Sequence, residues 1–149
     1  ILSVLGGVYI DPRRAKDFVL LVLRNINEEK DYYMKGNTFV FNAFKGSAQK
    51  GRQIVKIPSK LRYIIEKWGK YNPTDFLLFN ANFSALSNVT LNQRLNQIFE
   101  NKAGINQLRH TYLTSLHGTK AFDTAAERKK VMKNMGSSPA MIKTYVKVD

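Results

Sequence analysis

The sequence predicts a mainly helical α+β domain with a small antiparallel β-hairpin sheet packed on a helical core. Two patterns predict it. Two segments alternate apolar and polar residues on either side of a turn-rich stretch, residues 45–51, as the arms of one hairpin do. From Ser59 onward the apolar residues instead recur at spacings of three and four, the period of helices with one buried face. The 149 residues are 44% hydrophobic and 23% charged, enough for one domain with a sizeable core.

Each element has its own signal. Asp11-Pro12 reads as a helix start, with Asp as cap and Pro in the first turn. The apolar run from Phe18 to Leu23 fits a buried helix or a strand, and periodicity alone does not decide between them. Thr38 to Phe44 and Arg52 to Pro58 form the hairpin arms, with Val55 and Ile57 on the face opposite Ile54 and Lys56. Ser59 can cap a helix carrying Leu61, Ile64, Ile65 and Trp68, which Asn72-Pro73 ends. Phe76 to Phe79 is a strand or an extended core segment. Thr90 can cap a helix with Leu91, Leu95, Ile98 and Phe99 on one face. The next helix covers about Asn106 to Leu116 and stops at Gly118. Thr124 and Glu127 have capping-box spacing and open a helix ending near Gly136. Ser138-Pro139 opens a last helix holding Tyr145.

Charge narrows the function. There are 24 Lys plus Arg against 11 Asp plus Glu, a net +13. Such an excess points to a polyanionic partner, usually nucleic acid. Basic residues lie in every section of the chain rather than on one amphipathic stripe, which argues against a membrane-surface role. No apolar run is long enough to span a bilayer. With no cysteine, disulfides and a thiol nucleophile are excluded, and two histidines make a metal site unexpected. The chain opens at Ile1 without an initiator methionine, so we expect residues 1–149 to be one domain of a longer protein with an N-terminal domain before it.

Phosphodiester cleavage without metal or thiol needs another nucleophile, cations to hold the phosphate, and an acid for the leaving oxygen. Tyrosine, the planar fork of arginine, and lysine can fill these roles. Their order here resembles the catalytic domain of the tyrosine recombinase, or phage integrase, family, which is fold-related to type IB topoisomerases. The resemblance runs from Asp11 to the C-terminus. Arg14 in "DPRRAKDF" matches the family's early arginine, with Arg13 as the adjacent alternative and Asp17 at the acidic support position. Lys45 matches the hairpin lysine, and Lys50 is a second candidate at the tip. Arg109 in "NQLRHTYLTSL" matches the second arginine, and His110 after it is a candidate supporting residue. Tyr145 in "MGSSPAMIKTYVKVD" matches the nucleophile.

The resemblance implies a site-specific recombinase or integrase that cuts and rejoins DNA through a 3′-phosphotyrosine intermediate, with no cofactor and no metal. A type IB topoisomerase shares the chemistry. A catalytically weakened DNA-binding module would share the scaffold, whereas a ribosomal-type RNA-binding protein would explain the charge but not the ordered residues. Two departures matter. Asn106 stands where the family's helix has its first histidine, and Gly136 or Ser137 where the turn has its second. Neither Asn106 nor Ser137 can serve as an acid or base near neutral pH. Arg13, Lys50, Arg52 and the cluster Arg128, Lys129, Lys130 and Lys133 are expected to contact double-stranded DNA. Assembly into a tetramer on DNA, a viral or mobile-element origin, and work wherever the DNA target lies also follow from the resemblance.

Overall fold

The computed structural model describes residues 1–42, 51–100 and 103–146. In chain order the elements are α1 (Leu2–Leu5), α2 (Ala15–Val19), β1 (Leu21–Val22), β2 (Tyr32–Lys35), β3 (Thr38–Phe41), β4 (Gln53–Lys56), α3 (Ser59–Tyr71), α4 (Asn88–Ile98), α5 (Ile105–Leu116), α6 (Ala125–Asn134) and α7 (Ile142–Tyr145). The mainly helical α+β class is as the sequence predicts. They divide into two compact units. One joins Ile1–Arg14 to Asn92–Asp149, and the other is Ala15–Leu91.

Unit Ala15–Leu91 holds a four-stranded sheet in the order β1-β2-β3-β4. The expected hairpin is β3 against β4, with Phe39 opposite Val55 and Val40 opposite Ile54. Val55 and Ile57 are buried while Ile54 is exposed, as the alternation requires. The sheet is larger than the sequence reading expected. β2 joins β3 through the Gly36-Asn37 turn, and β1 pairs parallel to β2. The ambiguous run Phe18 to Leu23 is both things in turn: α2 ends at Val19 and β1 begins at Leu21. Phe18 packs edge-on against Phe39 at 6.2 Å and Phe41 at 6.4 Å, fixing α2 on the sheet. The loop between β3 and β4, with Lys45 and Lys50, lies outside the described residues.

Three expected helix starts shift. Ser59 is the first residue of α3, and Pro58 precedes it without a side-chain cap. Thr90 lies inside α4. Its N–H is capped instead by Ser87 Oγ at 3.0 Å. Asp11-Pro12 opens no helix, because α2 begins only at Ala15 and the Asp11 carboxylate is bonded elsewhere.

Unit Ile1–Arg14 with Asn92–Asp149 is helical. Its core joins Leu113, Phe122, Val131, Met132, Met135, Tyr145 and Val146. Asn92 of α4 accepts the Ile105 N–H at 3.0 Å and so caps α5 from outside. Thr124 and Glu127 form the predicted capping box on α6. The N-terminal segment lies on α5, where Gly7 has φ +75° and a Cβ there would stand 2.6 Å from the Tyr112 ring. A side chain at Gly7 therefore meets both a left-handed backbone and a filled space. We expect Gly7→Ala to lower stability by about 1–2 kcal/mol or more, read as a lower midpoint in denaturant unfolding.

Candidate phosphate-binding site with a buried tyrosine

The site begins at the end of α6. Gly136, at φ +66°, lets the chain reverse in a left-handed turn. The Ser137 N–H bonds the Met132 carbonyl at 2.8 Å and the Gly136 N–H bonds that of Lys133 at 2.9 Å. This pair of bonds is the Schellman closure of a helix. It satisfies the carbonyls of Met132 and Lys133, while those of Asn134 and Met135 lie past the last helical bonds.

Two arginines meet those carbonyls. Arg13 Nη1 donates to the Asn134 carbonyl, and Arg109 Nη2 to that of Met135 at 3.4 Å, the weak end of hydrogen bonding. Both residues are buried, at 4% and 3% exposure. The acceptors belong to consecutive residues, about 3.8 Å apart between Cα atoms, so the two cations converge on one helix end. The negative end of the helix dipole suits cations there.

Arg13 is held by its neighbours. One Asp11 carboxylate oxygen accepts from the Tyr112 hydroxyl, and the other accepts from Asn134 Nδ2 at 2.8 Å. The segment before α2 is thereby fastened to α5 and to the end of α6. Burial, with the Asp11 carboxylate beside it, pushes the Tyr112 phenol well above the ordinary tyrosine value.

Tyr145 lies against the same residues. The Arg109 guanidinium carbon stands 4.9 Å from the centre of its ring, within cation–π range. The His110 ring is 4.8 Å away, and His110 Nδ1 is 2.9 Å from the Tyr145 carbonyl oxygen. A carbonyl only accepts, so Nδ1 carries the hydrogen and Nε2 holds the lone pair in the neutral ring. His110 and Tyr145 line a shallow cleft with Gln107, Thr111, Thr114 and Ser115. Tyr145 is itself part of the core, at 9% exposure.

The other candidate residues fall as follows. Arg14 is exposed, and Arg13 is the arginine that joins Arg109. Asp17 is buried in α2. Asn106 is exposed in the first turn of α5, three residues before Arg109. Gly136 is committed to the helix closure, which leaves Ser137 as the side chain at that turn. Ser137 is buried, and its hydroxyl has no hydrogen-bond partner among the described residues. Arg128 Nη1 bonds the Phe122 and Asp123 carbonyls, whereas Lys129, Lys130 and Lys133 are exposed. Arg52 is engaged internally, through Asn42 Oδ1 at 2.8 Å and the Glu28 carbonyl at 2.7 Å. Sequence reasoning missed Asp11 and Asn134 as site-building residues. The Gly136 stop was the available signal, since a closed helix end predicts bare carbonyls just before it. No cluster of metal-binding side chains occurs among the described residues, and no described helix is long and apolar enough to cross a membrane.

Solved structures of recombinases share this architecture. XerA recombinase superposes with a TM-score of 0.69 at 15% identity, covering 99% of this chain and 52% of that one. A XerH site-specific recombinase bound to difH substrate gives 0.57 at 16% identity, covering 99% and 40%. A Tn1549 transposon integrase in complex with transposon right end DNA gives 0.52 at 14% identity, covering 99% and 52%. The chain thus spans about half or less of the length of these structures. No protein-family model matches it, and no curated protein matches its sequence. The fold is that of the tyrosine recombinases.

Loss of the Tyr112 hydroxyl should loosen the Arg13 segment. We expect Tyr112→Phe to reduce stability at neutral pH by about 1 kcal/mol. The pH dependence has a definite sign. A phenol whose pKa is raised on folding stabilises fully below the unfolded value, about 10, and that contribution is lost as pH rises above it. The native protein should therefore lose stability above about pH 10, and Tyr112→Phe should lose less there, as urea unfolding across pH will show.

Proposed function

We propose that this chain is the catalytic part of a site-specific tyrosine recombinase or integrase, which cuts and rejoins double-stranded DNA. One observation carries the reading: buried Arg13 and Arg109 converge on one helix end, with Tyr145 packed against Arg109. Two guanidinium forks offer parallel hydrogen bonds to the non-bridging oxygens of one phosphate and stabilise the charge that builds there. The Tyr145 oxygen attacks phosphorus and passes its proton to solvent. The bond from phosphorus to the 5′ oxygen breaks, a proton reaches that oxygen, and the DNA 3′ end remains on Tyr145. Rejoining reverses these steps.

Lys45 is our proposed donor of the leaving-group proton. Asn106 and Ser137 add hydrogen bonds without charge, and His110 holds the Tyr145 backbone. Because neither Asn106 nor Ser137 moves a proton, we expect slow turnover; general acid–base help is typically worth on the order of 100- to 10,000-fold. Lys129, Lys130 and Lys133 on α6 supply backbone contacts of the salt-sensitive kind. Base-specific reading by a further domain, and assembly into a tetramer on DNA, belong to the same proposal.

A second reading, a DNA-binding module that no longer cleaves, is favoured by the buried Tyr145 ring and by Asn106. A radiolabelled, nicked suicide substrate separates the two. We expect a protein–DNA adduct that survives denaturation and is lost in Tyr145→Phe. Retained DNA binding with no adduct under any condition would leave the second reading.

A further inference from the structure

Unit Ala15–Leu91 carries an aromatic surface that strand cleavage does not use. Trp68 of α3 stacks on Phe79, with 5.7 Å between ring centres and 18° between planes. Phe79 in turn lies 6.3 Å from Phe83 at 31°. Trp68 is 42% exposed, Phe83 60%, and Tyr71, three residues beyond Trp68, 78%. Large rings grouped on a surface mark an interaction site more often than single exposed ones do.

The rings are fixed in place. Trp68 Nε1 donates to the Leu77 carbonyl at 3.0 Å. Phe83 has φ +63°, a conformation unfavourable for a side chain of its size. Its loop holds it there through the Asn80 N–H to the Ser84 carbonyl, the Phe83 N–H to the Asn80 carbonyl, and Asn80 Nδ2 to the Ala85 carbonyl. A strained, fastened and exposed phenylalanine is thereby presented beside Trp68.

Charge identifies the occupant. Lys60, Lys67, Trp68 and Tyr71 fall at i, i+7, i+8 and i+11, one exposed face of α3. The acid of this helix, Glu66, is paired with Arg62 at 2.6 Å, and residues 79–85 carry no charge. Lysines interleaved with aromatic rings suit a strand that offers both phosphates and open base faces. A duplex keeps its bases stacked on one another. An apolar protein surface would bury the lysines without partners.

We propose that this shelf binds single-stranded DNA, with unpaired bases stacked on Phe83 and the Trp68–Phe79 pair and phosphates on Lys60 and Lys67. The inference is independent of Tyr145 chemistry. Trp68 is the only tryptophan, so its fluorescence reports the shelf directly. Titration with a short oligothymidylate should quench it saturably, and a blunt duplex of equal length should quench it less. Phe83→Gly, which removes the ring at a backbone angle glycine adopts freely, should weaken the oligothymidylate affinity about tenfold. Absent quenching, equal quenching by the duplex, or an affinity unchanged by Phe83→Gly overturns the proposal. So does a Trp68 signal that shifts with protein concentration alone, which would assign the shelf to a second copy of the chain. The readout needs no strand cleavage, so it and the suicide-substrate result can fail separately.

Discussion

The closed end of α6 is the constraint on which the site depends. A helix that ends in a left-handed glycine closes some of its last carbonyls and leaves the next ones bare. Here the bare ones belong to Asn134 and Met135, and Arg13 and Arg109 occupy them. Guanidinium groups this deeply buried are tolerated only with partners. The helix end supplies oxygens and a dipole of the right sign. Residues 13 and 109 are thus brought together by a turn at 136. The clamp of Asp11 by Tyr112 and Asn134 makes the arrangement reciprocal, because Asn134 offers its carbonyl to Arg13 and its side chain to Asp11.

Tyr145 inherits its place from the same geometry. α7 packs into the core formed by Leu113, Val131, Met132 and Met135, and its ring meets Arg109 on one helix while its carbonyl meets His110 on the same helix. The nucleophile proposed here is therefore a mostly buried residue that meets the surface along the cleft it lines with His110.

Much of this was legible in the sequence, for physical reasons. The hairpin arms follow from strict alternation, and α6 from a capping box at one end and a glycine at the other. Arg109 and Tyr145 stood out because their neighbours form recognisable short patterns. Other features were not legible. Arg13 and Arg14 are identical neighbours, and only the path of the chain before α2 decides which one turns inward. Asp11 looked like a helix cap because Asp-Pro suits one, whereas tertiary partners 101 and 123 residues away claim its oxygens. β1 is two residues long and gains its identity only from pairing, with β2 on one edge and with Phe76 on the other. The cap of α4 moved to Ser87 because a serine and a threonine three residues apart read alike until the backbone is placed.

The central claim is that Arg13 and Arg109 form one phosphate site beside Tyr145. A crystal structure of the protein bound to duplex DNA tests it most directly. The account predicts a single backbone phosphate with non-bridging oxygens about 3 Å from nitrogens of both Arg13 and Arg109. A phosphate held by Arg14, with Arg13 and Arg109 not touching it, would contradict it.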